Sequence, residues 1–167
     1  SMPFVFGQLA DTGEFTNRTK EINRLLTNFS SSLNTTVISP RRWGKSSLVR
    51  VVAHKAKKSH KKLRFCFIDM FNIRSEEEFY KAYAAEVIGA SSGKIKEWIT
   101  IAKEYIPSAI PKVTFNTPAG EFEVGLNWKE EKKSRSSILD LPEKLSKAKG
   151  IRIVVCIDEF QNIACLK

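Results

Sequence analysis

Seven residues late in the chain, Ile151-Arg152-Ile153-Val154-Val155-Cys156-Ile157, leave little choice of conformation and run straight into Asp158 and Glu159. All but Arg152 are apolar, most are β-branched, and no polar–apolar alternation breaks the run. A strand with one face in water alternates, so this pattern predicts a strand covered on both faces. Helices supply such cover in α/β folds built on a parallel sheet. Two adjacent acids at the end of a buried strand are costly to desolvate unless they serve a cation or a polar network. The carboxyl ends of such strands face the crevice where open α/β sheets take their ligands. A plainer role, capping the next helix, is also open to an Asp-Glu pair.

The rest of the chain fits the same plan. Residues 1–14 read as a leader with Gly7 and Gly13. A short helix is expected from Thr19 to Phe29, with Ile22, Leu25, Leu26 and Phe29 on one face. Thr35-Thr36-Val37-Ile38 reads as a short buried strand, Pro40 to Gly44 as a loop, and Lys45 to about Lys58 as a helix. Phe65-Cys66-Phe67-Ile68 is a second buried strand. Ser75 with Glu78 is a capping-box pair opening a helix that carries Phe79, Ala82, Tyr83 and Val87. Another helix follows Gly93, with Ile95, Trp98, Ile99, Ala102, Tyr105 and Ile106 at helical spacing, and Pro107 and Pro111 end it. Residues 112–128 alternate apolar and polar through Val113, Phe115, Phe122, Val124, Leu126 and Trp128, with Pro118 and Gly120 between the two runs. They read as a β-hairpin inserted on the α/β plan. A charged linker from Lys129 to Arg135 precedes a helix with Leu141, Leu145 and Ala148, closed by Gly150 as a left-handed cap.

Charge is distributed unevenly. The formal net charge is +10, yet from Arg24 to Arg64 there are eleven basic residues and no acidic one, and the remainder is close to neutral. A nucleic-acid partner is one reading of that stretch. The plainer reading assigns Arg41, Arg42 and Lys45 to phosphates and Lys55 to Lys62 to a solvated helix end, where cations suit the dipole. No apolar run approaches the roughly 18 residues of a membrane span. Cys66, Cys156 and Cys165 are odd in number. Two lie in apolar runs, as small buried residues of a reducing cytoplasm would.

Between the first expected strand and the second helix lies Ser39-Pro40-Arg41-Arg42-Trp43-Gly44-Lys45-Ser46-Ser47. The pattern G-x-x-x-x-G-K-[ST] gathers backbone N–H groups around phosphate oxygens at a helix N-terminus. Its Lys reaches the terminal phosphates and its hydroxyl binds Mg²⁺. Every position fits except the first, where Ser39 stands for Gly. A plainer role for Trp43 is as a hydrophobic plug between loop and sheet. With this loop upstream, Asp158 is expected to hold the Mg²⁺ shell and Glu159 to orient and deprotonate an attacking water.

Four stretches together resemble the archaeal-type ATPases related to the AAA and STAND group of P-loop proteins: Phe15-Thr16-Asn17-Arg18 with Glu21 and Leu25, Ser39 to Leu48, Phe67 to Phe79, and Val154 to Ile163. The first is similar to the family's entry motif, which implies adenine or ribose contact around Asn17 and Arg18, with Asn17 in place of the usual Gly. The resemblance spans about residues 15 to 165. It implies a three-layer P-loop NTPase sandwich with a mostly parallel sheet. It also implies a further strand bearing a polar sensor, and then a helical lid, neither of which this sequence supplies. The chain is therefore expected to be a partial domain, incomplete at the C-terminus, whose exposed edges invite self-association.

The site expected from this reading comprises Pro40, Arg41, Arg42, Trp43, Gly44, Lys45, Ser46, Ser47, Asn17 and Arg18 for nucleotide, Ser46 and Asp158 for Mg²⁺, and Glu159 with Lys45 for chemistry. The expected ligands are ATP and Mg²⁺, with hydrolysis and a conformational switch in the complete protein and little activity in this chain alone. No Asn-Lys-x-Asp guanine motif appears, which disfavours a GTPase. Two other readings stand beside this one: a degenerate nucleotide-binding scaffold and a basic nucleic-acid-binding domain. A missing strand between Thr35–Ile38 and Ile151–Ile157 is expected to force a rearrangement. The two strands close up, a second chain adds one, or the 112–128 hairpin fills the gap.

Overall fold

The computed structural model describes residues 18–38, 43–106, 109–114, 121–126 and 131–166. The chain forms two compact units, Ser1–Leu63 and Arg64–Lys167. The leader at 1–14, together with Phe115, Pro118, Gly120 and Trp128, lies outside the described residues.

In the first unit, α1 (Thr19–Ser30) and α2 (Lys45–Ser59) pack against each other. Both carry apolar residues at helical spacing, so each buries one stripe. Ile22 and Leu25 of α1 meet Leu48, Val51 and Val52 of α2, with Leu26, Phe29 and Val37 at the margin. Burying side chains of this size contributes about 1.5–3 kcal/mol each.

The expected strand at Thr35–Ile38 is absent: these residues form no ladder, Ile38 is 89% exposed and only Val37 is half-buried. A β-branched run becomes a strand only where a neighbour takes up its backbone groups. Here the local polar groups serve one another, with Asn28 Nδ2 donating to Thr35 Oγ1 at 3.1 Å and Thr35 Oγ1 donating to Leu33 O at 3.2 Å.

The second unit is built on a small parallel sheet of β1 (Leu63–Asp69) beside β4 (Arg152–Asp158). Leu63, which opens β1, belongs by contacts to the first unit. Between these strands in sequence come α3 (Glu76–Ser91), α4 (Ile95–Tyr105), β2 (Ala109–Thr114), β3 (Glu121–Leu126), α5 (Glu131–Leu139) and α6 (Leu141–Lys149). Helix α3 lies at the centre of this core. Its Phe79, Tyr83, Ala84, Val87 and Ile88 are buried with Ile101 and Ala102 of α4, Val124 of β3, and Ile138, Leu141 and Leu145. Alternate residues of β4, namely Ile153, Val155 and Ile157, pack on the same core.

Strand β4 is half-buried at every position, so the cover expected on both faces is only partial among the described residues. Strands β2 and β3 pair antiparallel, from Ala109 opposite Leu126 to Thr114 opposite Glu121, as a sheet of their own. This ribbon is not inserted in the parallel sheet. Pro111, expected only to end a helix, sits inside β2 opposite Val124. A two-stranded ribbon allows this because each strand needs donors on one side only.

The start of α3 follows the capping-box logic with one displacement. Ser75 Oγ accepts from Glu78 N at 3.2 Å, but the Glu78 carboxylate accepts from Arg74 N at 2.7 Å, one residue ahead of the cap. The expected charged linker is also corrected, since α5 begins at Glu131. Ile138 is fully buried, and Arg135 pairs with Glu76 at 2.8 Å and lies over the Tyr80 ring at 5.8 Å. Tertiary anchoring to α3 makes a helix from a stretch whose own apolar residues are too few to show a period. Gly150 adopts φ 61° as the left-handed cap of α6.

Candidate functional site

The expected site residues fall into two groups, one in each compact unit. The first surrounds the start of α2. Gly44 is its N-cap at φ 68° and ψ 33°, a left-handed conformation that costs a residue with a Cβ about 1–2 kcal/mol. The helical ladder begins with Leu48 N donating to Gly44 O at 2.8 Å. The amides of Lys45, Ser46 and Ser47 therefore belong to the first turn, where no intrahelical acceptor exists. No acidic residue lies in that turn to offset its partial positive charge.

Lys45 and Ser46 are half-buried, while Ser47 is 5% exposed. Trp43 is 60% exposed, so its plainer reading as a plug does not hold. Among the described residues around it, 35–38 form no strand for the ring to cover. Pro40, Arg41, Arg42 and Asn17 lie outside the described residues. Arg18 is the half-buried N-cap of α1, its carbonyl accepting from Ile22 N at 3.0 Å.

The second group closes β4. Asp158 Oδ1 accepts from Glu159 N at 2.9 Å. Glu159 takes φ 52° and ψ 39°, caps a 3₁₀ turn over Phe160–Cys165, and accepts a hydrogen bond on its carboxylate from Gln161 Nε2. This left-handed bend ends the strand and brings the Glu159 side chain onto the turn. The capping role open to the pair is thus partly real, through the Glu159 carbonyl that accepts from Asn162 N at 2.9 Å.

One acid at this edge escaped the sequence reading. Asp69 closes β1, which runs parallel to β4, so Asp69 and Asp158 end neighbouring strands on one edge. Asp69 Oδ1 accepts from Phe71 N at 2.9 Å and caps the short turn Met70–Asn72, which touches the turn after Glu159. Its signal was the one that marked Asp158: an acid directly after an apolar strand. Among the described residues, no three His, Cys, Asp or Glu converge as a metal cage.

Behind this edge the core shifts two titrations. Burial pushes the Cys66 thiol on β1 up to about 12, with nearby Cys156 adding to the effect, and burial likewise pushes the Tyr83 hydroxyl up to about 12. Both are inert, protonated core groups near neutral pH, and Cys66 Sγ donates to Val154 O across the sheet at 3.7 Å.

Residues 15–167 match the family described as an ATPase domain predominantly from Archaea. The chain belongs to that family. Membership makes it an archaeal-type ATPase domain and a nucleotide binder by class. No curated protein and no solved structure matches it. In this ATPase domain no described helix is long and apolar enough to cross a membrane.

Proposed function

We propose that this ATPase domain binds ATP with Mg²⁺ at the start of α2 and that, in the complete protein, the acids after β4 hydrolyse it to drive a conformational switch. The fold in this reading is the three-layer P-loop sandwich. The observation that carries the proposal is Gly44: left-handed at the helix N-cap, ahead of Lys45 and Ser46, with no acid in the turn, in a chain of an ATPase family. That combination suits a bound polyphosphate.

The hydroxyl of Ser46 and the carboxylate of Asp158 are hard oxygen donors of the kind Mg²⁺ takes alongside phosphate oxygens. They would hold it, and when bound it neutralises charge on the phosphates. The chain's own groups do the rest. The Lys45 ammonium binds the terminal phosphate oxygens, and the first-turn amides fix their position. Glu159 orients a water and accepts its proton, with Gln161 steadying the carboxylate. Arg18 and Asn17 contact the base or sugar, and Pro40, Arg41, Arg42 and Trp43 complete the loop.

Isothermal titration with ATP and Mg²⁺ tests this directly. The parent chain should bind, and Lys45→Ala should weaken binding at least tenfold while circular dichroism stays unchanged. Equal affinities for the two proteins would remove the phosphate-loop assignment. ATP binding by this domain, with no turnover by any longer form that contains it, would favour the degenerate scaffold.

A further inference from the structure

The eleven-cation stretch is only partly used by the ATP reading, and the fold gives the remainder a definite shape. On α2, Arg50, His54, Lys57 and Lys58 are all exposed and spaced i, i+4, i+7 and i+8, so they share one face about 100° wide. Lys55 flanks them. Lys61 and Lys62, exposed in the turn that follows, extend the row past the helix end. The opposite face carries the buried Leu48, Val51, Val52 and Ala56. Among the described residues no carboxylate pairs with Lys55, Lys57, Lys58 or Lys62.

Complementing the helix dipole accounts for Lys57 and Lys58 in the last turn. The dipole's effect fades within that turn, so it does not account for His54 or for Lys62 beyond the helix.

We infer that this basic face of α2 is a docking surface for the phosphate backbone of duplex nucleic acid, read without sequence preference. The chemistry selects this occupant. Protein interfaces are depleted in Lys and anchored by aromatic residues, and residues 50–62 contain no Phe, Tyr or Trp. Single-stranded nucleic acid is held largely by stacking on such rings. An interfacial membrane helix needs an apolar face for the lipid, and the apolar face of α2 is in the core. Lysines and an arginine in a row suit contact with successive phosphates. The inference stands independently of the ATP reading, whose Lys45 is at the other end of α2.

The test is fluorescence anisotropy of a labelled 20-base-pair DNA duplex titrated with the whole chain from about 50 to 200 mM salt. Three to five phosphate contacts give a log–log slope of about −3 to −4.5, a loss of roughly 10²-fold in affinity over that range. Scrambling the duplex sequence should change nothing. The double variant Lys57→Ala/Lys58→Ala should flatten the slope by about 2. A control of equal charge change in the other unit, Lys103→Ala/Lys144→Ala, should leave it as in the parent. The inference is overturned by no binding at the lowest salt, by both double variants flattening the slope equally, or by tenfold preference for one duplex sequence. Stronger retention on phosphatidylserine–phosphatidylcholine vesicles than on the duplex also overturns it, as does stronger binding to an acidic peptide.

Discussion

At the scale of single residues, the carboxylates after β4 carry the sharpest expectations. Glu159→Gln keeps the size, the fold and the ability to bond Gln161 but cannot accept a proton. In the complete protein it should bind ATP as the parent does and lose turnover by 10²-fold or more, as measured by phosphate release. Asp158→Ala should instead make ATP affinity indifferent to Mg²⁺. Native-rate hydrolysis by the Gln variant would move the base elsewhere. How legible these residues were follows from what each responds to. Gly150 could be read because a left-handed cap is a local demand that glycine meets, and it is left-handed. Asp158 and Glu159 could be read because acids directly after an apolar strand stand out. Asp69 met the same condition but lacked a second acid beside it. The plainer plug reading of Trp43 fails because a plug is buried, while this ring is 60% exposed.

At the scale of elements, all the helices but α5 were legible and their limits nearly so. The α1 and α2 stripes have enough turns to show a period, and Ser75 marks the start of α3 by a bond visible in the structure. That cap invites a test. Ser75→Ala removes the acceptor for Glu78 N and should lower unfolding free energy by about 1 kcal/mol in a urea titration, with nucleotide affinity unchanged. No loss would mean that the Glu78–Arg74 bond alone holds the turn. Strands were harder, because a strand is decided by its neighbour. Phe65–Ile68 and Ile151–Ile157 pair with each other and exist. Thr35–Ile38 has equally good β-formers but no ladder, and all of it but Val37 is exposed. The charged α5 was hidden for the opposite reason. Its helix depends on Ile138, Arg135 and the α3 surface, contacts made across more than fifty positions of chain.

At the scale of the whole molecule, the buried titrating groups couple stability to alkaline pH. In the unfolded chain Cys66 ionises near its ordinary 9.0, whereas in the fold it stays protonated to about 12. The folded pKa is raised, so the contribution is complete below pH 9 and lost as pH climbs from 9 toward 12. Tyr83, raised from 10.0 to about 12, acts in the same direction from pH 10. Urea titrations at pH 8 and 10.5 should show a loss of roughly 2 kcal/mol from Cys66 alone, absent in Cys66→Val. Equal losses in parent and variant would place the alkaline sensitivity elsewhere.

The left-handed Glu159 has a consequence of another kind. A carboxylate with a Cβ occupies a bend that glycine would take at ease, at a cost of about 1 kcal/mol or more. Domains of this size have only about 5–15 kcal/mol of stability in total. If folding were all that selection acted on, neutral drift would favour glycine or asparagine at this position. The acid that stands here is the one proposed as the base, so the bend after β4 sets stability against the proposed chemistry.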